Sequence, residues 1–279
     1  MPKDDGDVLV PERVCGLIGH PVRHSMGPAL HNWALQRADL PWVYMAWDVD
    51  PDDLGRMMDA VRLLPIAGLS VTIPHKVAVM EYLDGVSERA RKVGAVNTLH
   101  WHGTKLLGEN TDVDGFLAPL EAMGKAFDSA MVLGAGGAAR AALTALQHLG
   151  IPDIRITNRT RSKAEALAAD FGVDVVDWEA RTKSPAALLV NTTSLGMSGD
   201  HVEDTPWPAE AFPAECTAYD IVYNPLRTRF LREARDAGCA VVDGLNMFVH
   251  QGLAQFRLWT GQSFPTDLAR TLLLEQLRG

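Results

Sequence analysis

The apolar run Ala130-Met131-Val132-Leu133 passes straight into Gly134-Ala135-Gly136-Gly137-Ala138-Ala139-Arg140, and little else in the chain leaves so few folds open. A buried strand, a glycine turn and a helix of small residues must follow one another there. Gly134 makes the turn, Gly136 lets backbone N–H groups approach a pyrophosphate, and the small Ala139 lets the helix pack on the sheet. An anion then rests at the positive N-terminal end of that helix. Gly-Ala turns also close ordinary strand–helix corners, so the next strand has to decide. That strand, Ile154-Arg155-Ile156-Thr157, ends in Asn158-Arg159-Thr160. A site for NAD places an acid here for the ribose 2′-hydroxyl, whereas this chain has Arg159, with Arg161 and Lys163 close behind. A guanidinium grips a 2′-phosphate through paired hydrogen bonds, so the expected cofactor is NADP(H). Its expected contacts are Gly134, Ala135, Gly136, Gly137, Ala138, Asn158, Arg159, Thr160 and Lys163. A solvated basic helix start is the plain alternative.

A length of 279 residues leaves room for two domains. With 47% hydrophobic and 22% charged residues the composition is that of a soluble globular protein. A net charge of −9 argues against a nucleic-acid or anionic membrane surface. No apolar run approaches the ~20 residues of a membrane span. The polar, acidic start Met1 to Glu12 does not read as a signal peptide, so a cytoplasmic protein is expected. Cys15, Cys216 and Cys239 show neither C-x-x-C nor metal spacing and are expected to be reduced core thiols, with no metal bound.

Strand and helix patterns alternate along the whole chain, which implies an α/β protein. In the first half, strands are expected at 14–18, 43–49 and 66–73, with helices at about 28–38 and 51–63, the latter capped by Asp50. A short helix is expected from Lys76, then a hairpin of 96–101 and 105–109 around His102-Gly103-Thr104, then a helix at 112–123. Strands near 130–134, 153–157, 173–176, 187–191, 216–221 and 239–242 make the second half a Rossmann-like parallel sheet. The domains are therefore placed at 1–116 (substrate), 117–243 (NADP) and 244–279 (C-terminal helices returning to the first). The cleft between the two domains is the natural place for a reaction.

A nicotinamide enzyme needs a proton donor or acceptor beside the carbon that exchanges hydride. Lys76 follows Ser70-Val71-Thr72-Ile73-Pro74 and Asp112 follows Gly108-Glu109-Asn110-Thr111, both at strand ends, where open α/β sheets hold their sites. His24, His31 and His75 are read as hydrogen-bonding scaffold, because no further ligand is spaced for zinc.

Together these segments resemble the shikimate dehydrogenase family over nearly the whole chain. The resemblance is carried by Gly19 to Asn32, by Gly68-Leu69-Ser70-Val71-Thr72-Ile73-Pro74-His75-Lys76, and by Gly94-Ala95-Val96-Asn97-Thr98 with Asn110-Thr111-Asp112. The glycine turn and Asn158-Arg159-Thr160 match as well, as do Asn191 to Met197, Tyr219 to Pro225 and Asp243 to Gln251. It implies reversible reduction of 3-dehydroshikimate to shikimate by NADPH, with Lys76 and Asp112 as the catalytic pair. It also implies that Ser25, Gly27, Thr72, Asn97, Asp112, Tyr223 and Gln251 surround the substrate, and that Thr193, Ile221, Gly244 and Met247 line the nicotinamide end.

One departure stands out. Where the family normally has a second hydroxyl residue on the substrate carboxylate, this chain has Gly27, so one charge-assisted hydrogen bond is missing unless water or backbone replaces it. A relative preferring quinate or amino-shikimate, and a non-catalytic NADP-binding sensor, are the competing readings. The sequence leaves open whether the protein forms a homodimer.

Overall fold

The structure, a computed structural model, describes residues 10–23 and 25–277. His24, one of the expected scaffold histidines, lies outside the described residues. The chain divides into two compact units. The first takes the residues up to Arg91, Ala95–Glu109 and Gln255–Leu273. The second takes Lys92–Gly94, Asn110–Ala254 and the chain from Leu274 on.

The first unit holds β1 (Arg13–Gly19), α1 (Gly27–Arg37), β2 (Trp42–Asp48), α2 (Leu54–Leu63) and β3 (Ile66–Val71). It continues with β4 (Gly85–Val86), α3 (Glu88–Val93, which ends in the second unit), β5 (Thr98–His102) and β6 (Lys105–Glu109). The sheet order is β2-β1-β3-β5-β6-β4. The β2-β1-β3 part is parallel, while β3-β5 and β5-β6 pair antiparallel around the expected hairpin. Leu54, Met58 and Val61 recur at helical spacing and bury one face of α2 against Ile18, Leu69, Val71 and Leu99 of the sheet. Asp50 accepts from the Asp52 backbone N–H and opens a 3₁₀ turn ahead of α2, as expected of a cap. The helix expected from Lys76 is instead a 3₁₀ turn at Ala78–Tyr82. The Lys76 carbonyl accepts from the Val96 N–H at 2.7 Å, which takes it out of any helical ladder.

The second unit opens with α4 (Asp112–Met123), β7 (Ser129–Leu133), α5 (Gly137–His148), β8 (Asp153–Thr157), α6 (Arg161–Phe171) and β9 (Asp174–Val175). Then come β10 (Leu188–Asn191), β11 (Thr217–Asp220), α7 (Arg229–Asp236), β12 (Ala240–Val242), α8 (Gly244–Thr260) and α9 (Thr266–Gln276), the last two contributing Gln255–Leu273 to the first unit. Its sheet, β12-β11-β10-β7-β8-β9, is parallel throughout. The chain winds outward from β7 to β9, then from β10 to β12 on the other side. The switch point therefore falls between β7 and β10, where an open α/β sheet binds its ligand beyond the strand ends.

Two expectations change. The division differs from 117 and 244 as boundaries, because α4 and residues 244–254 group with the second unit. A Cβ on Gly115 of α4 would lie 2.5 Å from the Met247 carbonyl oxygen, so only glycine lets α4 and α8 come this close. The cysteines are also not all reduced. Cys216 and Cys239, each just before a strand of the neighbouring pair β11 and β12, form a disulfide, and only Cys15 is a free, buried thiol.

Candidate active site

In the first unit the substrate-segment residues sit at strand ends and are tied to one another through the backbone. The Gly27 N–H donates to Ser25 Oγ at 3.1 Å, which fixes the serine's acceptor side and leaves its proton to point elsewhere. Thr72 follows β3, donating its N–H to the Ile18 carbonyl and accepting from the His75 N–H. Asn97 precedes β5, 2% exposed, with its carbonyl accepting from the Val71 N–H and its N–H donating to the Glu109 carbonyl. The Val96 N–H to Lys76 carbonyl bond brings the lysine motif beside the asparagine motif, which sequence spacing alone could not do.

Gly27 is buried at the start of α1, and its backbone is not left-handed. A Cβ there would meet Ser25 Oγ and the Tyr44 hydroxyl, each at 3.2 Å. A side chain there would therefore press on two polar oxygens, each of which would have to give by a few tenths of an ångström. Tyr44 belongs to a buried network that the sequence did not reveal. Its hydroxyl donates to Ser70 Oγ at 2.7 Å, and Ser70 Oγ donates to Gln255 Oε1 at 2.8 Å. The Gln255 Nε2 group donates to the Asn97 carbonyl (3.2 Å) and to Thr98 Oγ1 (3.1 Å). His31 stacks on Tyr44 with centroids 4.5 Å apart and places Nε2 3.3 Å from Gln255 Oε1. Burial pushes His31 down to about 3, so it is a neutral donor, and pushes the Tyr44 phenol up. His75 Nε2 bonds the Val49 carbonyl at 2.7 Å. His31 and His75 are therefore scaffold.

The second unit presents a different surface. Gly134 has φ 115°, and a Cβ there would lie 2.7 Å from Thr192 Oγ1, so the turn requires glycine. Gly136 and Gly137 face open space, and the N-terminus of α5 has no side-chain cap. Uncapped N–H groups with room above them suit a pyrophosphate. Beyond β8, Arg159 is exposed, and among the described residues no carboxylate holds it. Arg161 is instead held by Glu165 at 2.6 Å and by Asp177. Lys163 is exposed on α6, and Asn158 Nδ2 donates to the Thr160 carbonyl, shaping its own turn. These residues fit NADP(H), with Arg159 the group best placed to take a 2′-phosphate.

At the ends of β10 and β11 a second buried network lies where the nicotinamide segments were expected. The fully buried Asp220 accepts from Asn191 Nδ2 (3.0 Å), the Val222 N–H (3.0 Å) and Thr228 Oγ1 (2.6 Å). Asn191 Oδ1 in turn accepts from the N–H and hydroxyl of Thr193. Desolvation raises Asp220 to about 7 against these bonds. The Ile221 N–H donates to the Asn191 carbonyl. Gly244 is there for close approach, since a Cβ would lie 2.3 Å from the Ile221 carbonyl oxygen. Tyr223 rests on Phe248 with ring centroids 4.7 Å apart, and Gln251 Nε2 donates to the Phe248 carbonyl. Asp112, 8% exposed, opens α4, whose positive end suits a carboxylate. Met247 is buried in α8. Among the described residues no three metal-ligating side chains converge, and no helix is long and apolar enough to cross a membrane.

Comparison with known proteins agrees with both halves. Residues 17–99 match the shikimate dehydrogenase substrate binding domain, 121–188 the shikimate/quinate 5-dehydrogenase model, and 244–274 the shikimate 5′-dehydrogenase C-terminal domain. A shikimate dehydrogenase (NADP(+)) of Maridesulfovibrio salexigens is 52% identical, covering 97% of this chain and 100% of its own. The crystal structure of shikimate 5-dehydrogenase from Thermus thermophilus, in complex with NADP(H) and shikimate, superposes with a TM-score of 0.87 at 41% identity, covering 94% of this chain and 99% of its own. Quinate dehydrogenase from Corynebacterium glutamicum, in complex with NAD, gives 0.88 at 32% identity over 94% and 99%. Fold likeness thus does not separate the two substrates, but identity along the full length, together with the glycine turn and the motif order, settles the lineage: the chain belongs to the shikimate dehydrogenase family.

Proposed function

We propose that this chain catalyses the reversible reduction of 3-dehydroshikimate to shikimate by NADPH, in aromatic amino-acid biosynthesis. The observation that carries the reading is the 52% identity, along 97% of the chain, to a relative named as an NADP(+) shikimate dehydrogenase. NADPH, when bound, supplies the hydride. In the reduction the Lys76 ammonium gives a proton to the ketone oxygen as it becomes an alkoxide, and in the oxidation the amine takes that proton back. Asp112 and Asn97 hold ring hydroxyls, with Thr72, Tyr223 and Gln251 beside them, while Ser25 donates to the carboxylate. Arg159 selects the 2′-phosphate, the α5 N-terminus takes the pyrophosphate, and Thr193, Ile221, Gly244 and Met247 form the nicotinamide end.

Quinate carries one more hydroxyl, on the carbon that bears the carboxylate. The chain is 52% identical to a relative named shikimate dehydrogenase (NADP(+)) and 32% identical to one named quinate dehydrogenase. That favours shikimate. We place the protein in the cytoplasm, and light scattering after size exclusion decides between monomer and homodimer. The direct test is NADPH formation from shikimate and NADP⁺. Turnover that is lost in Lys76→Ala supports the reading, whereas NADP⁺ binding with no turnover would make the protein a sensor instead.

A further inference from the structure

We propose that Gln255 is a positioning residue for substrate recognition, setting the orientation of Asn97. The inference rests on the reading of Asn97 as a ligand of the ring hydroxyls. Gln255 lies on α8 between Leu253 and Phe256, in an otherwise apolar stripe, and is 2% exposed. A buried amide in such a place is costly unless every group finds a partner, and here both ends do. The Oε1 atom accepts from Ser70 Oγ at 2.8 Å, with His31 Nε2 at 3.3 Å. That acceptor pairing fixes the amide plane and turns Nε2 toward the Asn97 carbonyl and Thr98 Oγ1. With its acceptor capacity engaged by Nε2, the Thr98 hydroxyl donates to Asn97 Oδ1 at 2.8 Å. The Asn97 side chain is thereby held with Oδ1 toward Thr98 and Nδ2 on the opposite side. One glutamine therefore reaches the asparagine twice, directly at its backbone and through Thr98 at its side chain.

The same amide joins Asn97 to the carboxylate loop. Ser70 carries the link to the Tyr44 hydroxyl, which occupies the space beside Gly27 and Ser25. Only a group that donates at one end and accepts at the other completes this chain, which explains an amide here in preference to an acid or an apolar residue. The titratable groups against it are His31 from α1 and, through Ser70, Tyr44 from β2, both neutral in their burial.

Gln255→Glu keeps the shape and, when ionised, loses every donor toward Asn97 and Thr98. Its KM for shikimate should rise ~10-fold at the alkaline end of the pH profile, where the buried carboxyl is ionised, with the NADP⁺ dissociation constant unchanged, the scale expected from losing a net hydrogen bond or more. As pH falls and the carboxyl gains a proton, one donor returns and KM should approach that of the parent, whose KM ratio to the variant is measured at each pH. Gln255→Leu should raise KM at every pH and show no recovery. A KM for Gln255→Glu equal to the parent's, or raised by the same factor at every pH, would overturn the positioning role. If Gln255→Leu fails to fold, the pH response of Gln255→Glu decides alone. A parent that does not oxidise shikimate at all would sink the functional reading and this proposal together. A working parent with indifferent variants sinks only the proposal.

Discussion

The two units carry their candidate ligand-binding groups in opposite ways. In the first, polar side chains are buried and bonded to one another, from Tyr44 through Ser70 and Gln255 to Thr98 and Asn97. In the second, the groups proposed for the cofactor are backbone N–H groups over open glycines and an arginine exposed to solvent. A small ring with several hydroxyls demands exact donors and acceptors, and low dielectric sharpens them. A long dinucleotide supplies its own charge, so a helix end and a guanidinium suffice. Changes in the first unit should therefore couple affinity to stability, and changes at the cofactor surface should not.

The largest effect is expected at Lys76, which belongs to neither style because its proposed role is to move the proton. Lys76→Ala should lower turnover ~10²- to 10⁴-fold with NADP⁺ binding intact, as measured by steady-state kinetics and a fluorescence titration. Turnover within threefold of the parent would remove it from the chemistry.

Asp220 tests whether the second unit also hides a buried polar centre that costs stability. Its carboxyl, at about 7 when folded, holds a proton longer than the unfolded chain does at the ordinary 3.8. Unfolding therefore releases a proton between those values. Stability is fullest below the lower value and drains as pH rises toward 7, by at most ~4 kcal/mol at 1.36 kcal/mol per unit. Denaturant melts from pH 4 to 8 should show this slope in the parent and a flatter one in Asp220→Asn. Parallel slopes would place the titration elsewhere.

Arg159→Ala should weaken NADP⁺ by roughly 10- to 150-fold, the worth of about 1.5–3 kcal/mol from bonds to a charged group. NAD⁺ affinity and melting temperature should not move, since Arg159 is exposed and among the described residues no carboxylate holds it. Equal losses for both cofactors would break the contrast between the two units.

The smallest effect is expected at Gly27. From sequence, a serine there restores a missing hydroxyl and improves affinity. The structure reverses the expectation, because the new Cβ would press on Ser25 Oγ and on a Tyr44 hydroxyl anchored to Ser70. Gly27→Ser should raise the KM for shikimate a few-fold, a loss of about 1 kcal/mol or less. Adding Tyr44→Phe should recover part of it. An improved KM in the single variant would restore the simpler reading.

What could be read in advance follows the same divide. The glycine requirement at Gly134 was legible because backbone geometry dictates it locally. The hairpin around Gly103 was legible for the same reason. Gln255 and Ser70 are 185 positions apart, and Tyr44 meets Ser70 across 26, so no local pattern announces either bond. The polar residue within the apolar stripe of α8 was the one available hint. Cys216 and Cys239 are 23 residues apart and meet only because β11 and β12 lie side by side. The turn after Lys76 was misread as helix because its carbonyl is claimed by Val96, 20 residues on.

The most direct test of the central claim is kcat/KM of the purified parent with shikimate and quinate, each paired with NADP⁺ and NAD⁺. Shikimate with NADP⁺ should give the highest value, with at least a tenfold advantage over either single exchange, about 1.4 kcal/mol each. A higher value for quinate, or for NAD⁺ with either acid, would contradict the assignment of shikimate as substrate or of Arg159 as the 2′-phosphate ligand respectively.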